Sequence, residues 1–102
     1  MRDVKAKGKA VANRPEAEAF AILAVGYLAS QEDALPRFSA LSGLGIEDIK
    51  ARLTDGEFLG AVLDFVLGDD ELIVGVSEAA GVGPETVMMA RRLLPGFSAE
   101  MD

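Results

Sequence analysis

Apolar positions along this chain recur at three- and four-residue spacing, and no stretch alternates strictly, so the pattern predicts helices and no half-buried strand. A first helix is expected from Pro15 or Glu16 to Ser30. Proline suits the first helical position, and Glu16 and Glu18 favour the positive end of the helix dipole. Its apolar residues fall on nearly every side, the pattern of a buried central helix. A second helix follows from about Asp33, with Pro36 in its first turn and Leu35, Phe38 and Leu41 three apart on one face. Gly43 is placed as a left-handed C-terminal glycine with Leu44 packing back beneath it, and Gly45 opens a third helix, Ile46 to about Leu53. Thr54-Asp55-Gly56-Glu57 reads as a capping box ahead of a fourth helix carrying Phe58, Leu59, Val62, Leu63, Phe65, Val66 and Leu67. Asp69 caps a fifth helix that runs to about Ala80. After the Gly81-Val82-Gly83 turn, Pro84 and Glu85 begin a sixth, which stops before Pro95-Gly96.

These elements repeat. Residues 18–53 align without a gap on residues 56–91: Phe20 with Phe58, Ser39 with Ser77, Gly43 with Gly81, Gly45 with Gly83 and Glu47 with Glu85. Between them Tyr27 meets Phe65, Leu35 meets Ile73, Leu44 meets Val82 and Ile49 meets Val87. The expected fold is therefore all-α: a single compact bundle of about six helices built from two tandem three-helix repeats, with helices one and four packed together near a pseudo-twofold axis.

Composition narrows the chemistry. A chain of 102 residues that is 50% hydrophobic and 26% charged supports one folded core. It contains no cysteine and no histidine, which removes disulfides, thiolate sites and the commonest acid–base, triad and transition-metal chemistry. The net charge of −7 is unevenly spread: residues 1–14 hold Arg2, Lys5, Lys7, Lys9 and Arg14 against Asp3, and acids dominate the rest. The expected organisation is a basic, disordered tail over residues 1–14, a helical domain over 15–96 and a flexible C-terminus over 97–102. The basic tail followed by an apolar run from Ala19 to Ala29 imitates a secretion signal. Glu16 and Glu18 interrupt that pattern, and the run is shorter than the ~20 residues that cross a bilayer. The same run aligns with Phe58–Leu67 in the second repeat, so it belongs to the fold and a cytoplasmic location is expected.

The two Gly-x-Gly turns are the candidate site. The second, Ala80-Gly81-Val82-Gly83-Pro84-Glu85-Thr86-Val87 with Arg91 and Arg92 beyond it, resembles the helix-hairpin-helix motif of DNA-binding proteins. In that motif a Gly-apolar-Gly turn lets backbone N–H groups at a helix N-terminus approach a phosphate. On this reading Gly43, Gly45, Lys50, Arg52, Gly81, Gly83, Arg91 and Arg92 contact a nucleic-acid backbone. Charge opposes it, because Glu47, Asp48 and Glu85 stand where the family often carries a base, and carboxylates there would occupy or repel the phosphate site. The plainer alternative is a glycine-containing connection between helices. Asp69-Asp70-Glu71 lacks the spaced oxygen ligands of a calcium loop, and Gly75-Val76-Ser77-Glu78-Ala79 lacks the strand-to-helix setting of a nucleophile elbow. No catalytic, cofactor-binding or metal-ligating residue is nominated, no cofactor is expected and the chain is not expected to be an enzyme.

Over residues 18–96 the chain resembles a family of short, all-helical alphaproteobacterial proteins catalogued as domain of unknown function 3572. The resemblance is carried by Leu41-Ser42-Gly43-Leu44-Gly45, by Phe58-Leu59-Gly60-Ala61-Val62-Leu63-Asp64-Phe65-Val66-Leu67, by Asp70-Glu71 and by Ala80-Gly81-Val82-Gly83-Pro84-Glu85. It implies bacterial origin, a cytoplasmic helical domain and no established activity. The function expected from these readings is a non-catalytic protein-interaction module whose partner is another protein or a second copy of the chain. A nucleic-acid-binding module using the paired turns is the alternative.

Overall fold

Asn13 begins the first helix by accepting a hydrogen bond from the Glu16 amide at 3.0 Å, while Glu16 Oε1 accepts from Ala12 N–H at 2.7 Å. Two orphan donors are thereby satisfied, and α1 runs over Arg14–Ser30. The computed structural model describes residues 11–96, and within that span the chain forms five further helices and no strand. These are α2 (Ala34–Ser42), α3 (Ile46–Ala51), α4 (Gly56–Leu67), α5 (Asp70–Ala80) and α6 (Glu85–Arg92). Residues 1–10 of the tail expected over 1–14, and the C-terminus expected over 97–102, lie outside the described residues. Val11, which the sequence reading assigned to the tail, is buried in the core.

Local chemistry sets most of the boundaries where the sequence placed them. Gly43 and Gly81 end α2 and α5 at φ +78° and +74°, a conformation that costs any residue with a Cβ. Asp69 caps α5 by accepting from the Glu71 amide at 2.9 Å. One boundary is corrected: Asp55, not Thr54, is the residue that precedes the first turn of α4, and its carboxylate accepts from the Glu57 amide at 3.0 Å.

The centre of the fold is α4. Leu59, Val62, Leu63 and Val66 are almost wholly buried, and the helix packs against α1, α5 and α6. Its outer side is limited to Glu57, Ala61 and Asp64. Against its flank, Phe38 of α2 makes edge-on ring contacts with Phe58 and Phe65, at centroid separations of 5.8 and 5.3 Å. Arg37 lies over the Phe65 ring at 5.4 Å and donates to Asp69 Oδ2 at 3.3 Å, joining α2 to the start of α5. Desolvation pushes the Asp69 carboxyl upward, but the amides of Glu71 and Leu72 and the Arg37 guanidinium outweigh it and hold the group below its ordinary value.

The segment just after α6 is locked onto the same helix. Arg91 of α6 is only 5% exposed and donates from Nε to Asp64 Oδ1 at 2.7 Å and from Nη2 to Oδ2 at 3.2 Å. Its Nη1 also donates to the carbonyls of Leu94 and Pro95, at 3.3 and 3.2 Å. Gly60 makes room for this clamp, since a Cβ there would stand 2.8 Å from Arg91 Nη1 and 3.1 Å from the Pro95 carbonyl oxygen.

The two halves share an order of helices but not a pattern of packing. α6 is wedged against α1 and α4, whereas α3 makes no comparable contact with any helix and buries only Ile49. The aligned serines differ as well: Ser39 donates to the Leu44 carbonyl, while the buried Ser77 hydroxyl has no partner among the described residues. Leu41, expected on the inward face of α2, is 76% exposed, because that helix turns Ala34 and Phe38 to the core and leaves its last turn outside. No helix among the described residues is long and apolar enough to cross a membrane.

Candidate functional site

Both Gly-x-Gly turns are closed by their own chain. At the first, Gly43 N–H donates to the Ser39 carbonyl at 2.9 Å and Leu44 N–H to Ser42 Oγ at 3.2 Å. Gly45 N–H then donates to Asp48 Oδ2 at 3.3 Å. The amide that would meet a phosphate is therefore turned to a carboxylate three residues on, as in a capping box. At the second, the Gly81 and Val82 amides donate to the carbonyls of Glu78 and Ser77, at 3.2 and 3.0 Å, satisfying the end of α5. The Glu85 carboxylate folds over Gly83, its oxygens 2.6 Å from the point where a Cβ would stand. An anion approaching either turn meets a like charge already in place.

The basic residues nominated with these turns are dispersed. Lys50 and Arg52 are exposed in and just after α3, and Arg92 is exposed at the end of α6. Arg91 points inward and is engaged by Asp64 and two carbonyls, so its guanidinium serves the fold. The sequence reading offered Arg91 and Arg92 together as nucleic-acid backbone contacts. The arginine–aspartate clamp was not foreseen, because Asp64 and Arg91 are distant in sequence and only the docking of α6 on α4 brings them together. Among the described residues no hydrogen bond or ion pair joins the two turns.

A different surface stands out. α1 buries Ala17, Phe20, Ala21, Ala24 and Leu28, a spacing that draws one stripe along the helix. Its opposite stripe is also apolar: Ile22 and Leu23 are 42% and 38% exposed, and Ala19, Gly26 and Ala29 are exposed with them. No residue from Ala19 to Ser30 carries a charge. The expectation of a helix buried on all sides is thus corrected: α4, α5 and α6 cover one side of α1, and none of the other described helices covers the opposite side. Where α1 meets the end of α5, the stripe opens into a shallow groove of about 250 Å³ lined by Ala19, Phe20, Leu23, Ala80 and Val82, with Val11 and Glu16 at its edge. The signal was present in the sequence, as an apolar run without a polar side, and its meaning depended on which elements pack against it.

Residues 14–97 match the family model described as protein of unknown function DUF3572, and the chain belongs to that family. No curated protein and no solved structure matches it.

Proposed function

We propose that this DUF3572 protein is a non-catalytic protein-interaction module of the bacterial cytoplasm that presents the outer face of α1 to its partner. The observation that carries the reading is the uncharged stripe of Ala19, Ile22, Leu23, Gly26 and Ala29, exposed on a chain of net charge −7. Scattered apolar residues on a surface need no explanation, but a contiguous exposed apolar stripe favours association. The absence of histidine and cysteine from the chain supports the non-catalytic part of the reading.

A photo-crosslinking side chain at position 22 of the full chain, introduced in cells that make the protein, tests it. A defined protein adduct is expected from position 22 and is expected to vanish when Leu23→Asp is added. Position 41 is more exposed but lies on α2, away from the stripe, and is expected to give none. Equal labelling from positions 22 and 41 would mean that exposure alone governs the reaction, and the assignment of the α1 face would be withdrawn.

Nucleic-acid binding by the turns would require Asp48 and Glu85 to leave Gly45 and Gly83. The amide resonances of Gly43, Gly45, Gly81 and Gly83 are therefore expected to stay in place when a short mixed-sequence duplex is titrated at low salt. Shifts at these glycines that fade as salt rises would transfer the function to the turns.

A further inference from the structure

We propose that a second copy of this chain covers the outer face of α1, the two helices crossing antiparallel about a twofold axis at Gly26. The proposal rests on the interaction-module reading and names the partner. Gly26 sits on the side of α1 opposite Ala24 and Leu28, in the middle of the exposed stripe. Glycine in a helix interior is less favourable than alanine, and the fold gives no reason for one here: a Cβ at Gly26 would meet nothing within 4 Å. What a missing Cβ provides at such a point is close approach of another backbone.

The stripe is graded in size along its length. Ile22 and Leu23 lie on one side of Gly26, and Ala29 and Ser30 lie on the other. A twofold crossing at Gly26 sets Ile22 and Leu23 of each copy over Ser30 and Ala29 of the other, large against small at both ends. A parallel pairing would set large on large and leave a gap between the small residues. Self-complementarity of this kind is what a twofold interface demands. Net charge opposes pairing, since copies of net charge −7 repel, but the stretch from Ala19 to Ser30 that would form the contact carries no charge of its own.

Sedimentation equilibrium of the full chain, from about 1 μM to about 1 mM, reads the association directly. A monomer–dimer equilibrium is expected, and it should tighten as salt screens the like charges. Gly26→Leu is expected to weaken the dimer at least tenfold while leaving the monomer folded, as circular dichroism would record, because leucine favours the helix and the site is open. Leu23→Asp should weaken it at least as much. A wild-type chain that stays monomeric throughout, a dimer that loosens with added salt, or one indifferent to both substitutions would overturn the proposal. A monomeric wild type whose position 22 still crosslinks to a different polypeptide would overturn self-pairing alone and leave the interaction-module reading standing.

Discussion

Arg91→Ala is expected to lower the unfolding free energy by about 2–4 kcal/mol, a large share of the ~5–15 kcal/mol that stabilises a domain of this size. Hydrogen bonds to a charged group contribute about 1.5–3 kcal/mol, and this guanidinium makes them to the Asp64 carboxylate and to the carbonyls of Leu94 and Pro95. Its aliphatic stem is also packed, since the residue is 5% exposed. Asp64 moderates the loss: its side chain is 59% exposed, so water can solvate it once the arginine is gone. The larger contribution comes from the segment after α6, where the Leu94 and Pro95 carbonyls lose the donor that holds them to α4. Arg91→Lys should recover only part of the stability, because an ammonium cannot reproduce the two-pronged contact with the carboxylate. Urea denaturation followed by circular dichroism provides the measurement. A midpoint unchanged in Arg91→Ala would mean that the clamp contributes nothing to the native state.

Leu63→Ala is expected to cost about 3–4 kcal/mol, within the range for leucine truncation in a close-packed core. Leu63 is wholly buried on α4, the helix against which α1, α5 and α6 all pack. Collapse around the lost atoms would have to move several helices at once, so most of the cavity should persist. The same truncation at Leu41, which is 76% exposed, should change stability little and serves as the comparison. The expected signature is a lower urea midpoint at an unchanged slope, meaning that the native state has weakened without a change in the surface exposed on unfolding. If Leu63→Ala proved no more costly than Leu41→Ala, α4 could not be the centre of the fold.

Helix ends were legible because they depend on groups a few residues apart. Asp69, Gly43 and Gly81 act where they were expected to act, through a carboxylate meeting a nearby amide or a backbone turned to positive φ. The cap of α4 was misplaced by one residue because Thr54 and Asp55 are both good caps, and only the backbone path decides which one faces the amide. The turns show how far motif reading reaches. Their Gly-apolar-Gly spacing is that of a phosphate-binding hairpin, yet the outcome at Gly45 and Gly83 depends on where Asp48 and Glu85 swing. The acids were visible in the sequence, and their folding back onto the glycines was not.

The aligned halves place helices of similar rank in the same order, but alignment does not set the packing of each. α6 reaches the core through Thr86, Val87, Ala90 and Arg91, while α3 has Ile49 alone. One helix is therefore wedged between α1 and α4, and its counterpart stays outside.

The sequence by itself determined that this chain is helical, where most of its helices begin and end, and that its chemistry excludes histidine and thiolate sites. Each of these follows from composition or from contacts within a turn or two of helix. Tertiary structure alone decided that α4 is enclosed while the other described helices leave an apolar side of α1 uncovered, and that Arg91 closes onto Asp64 rather than facing solvent. Hydrophobic burial has no direction of its own: an apolar stripe records that something must cover it, and only the arrangement of the other helices determines whether the chain covers that stripe itself.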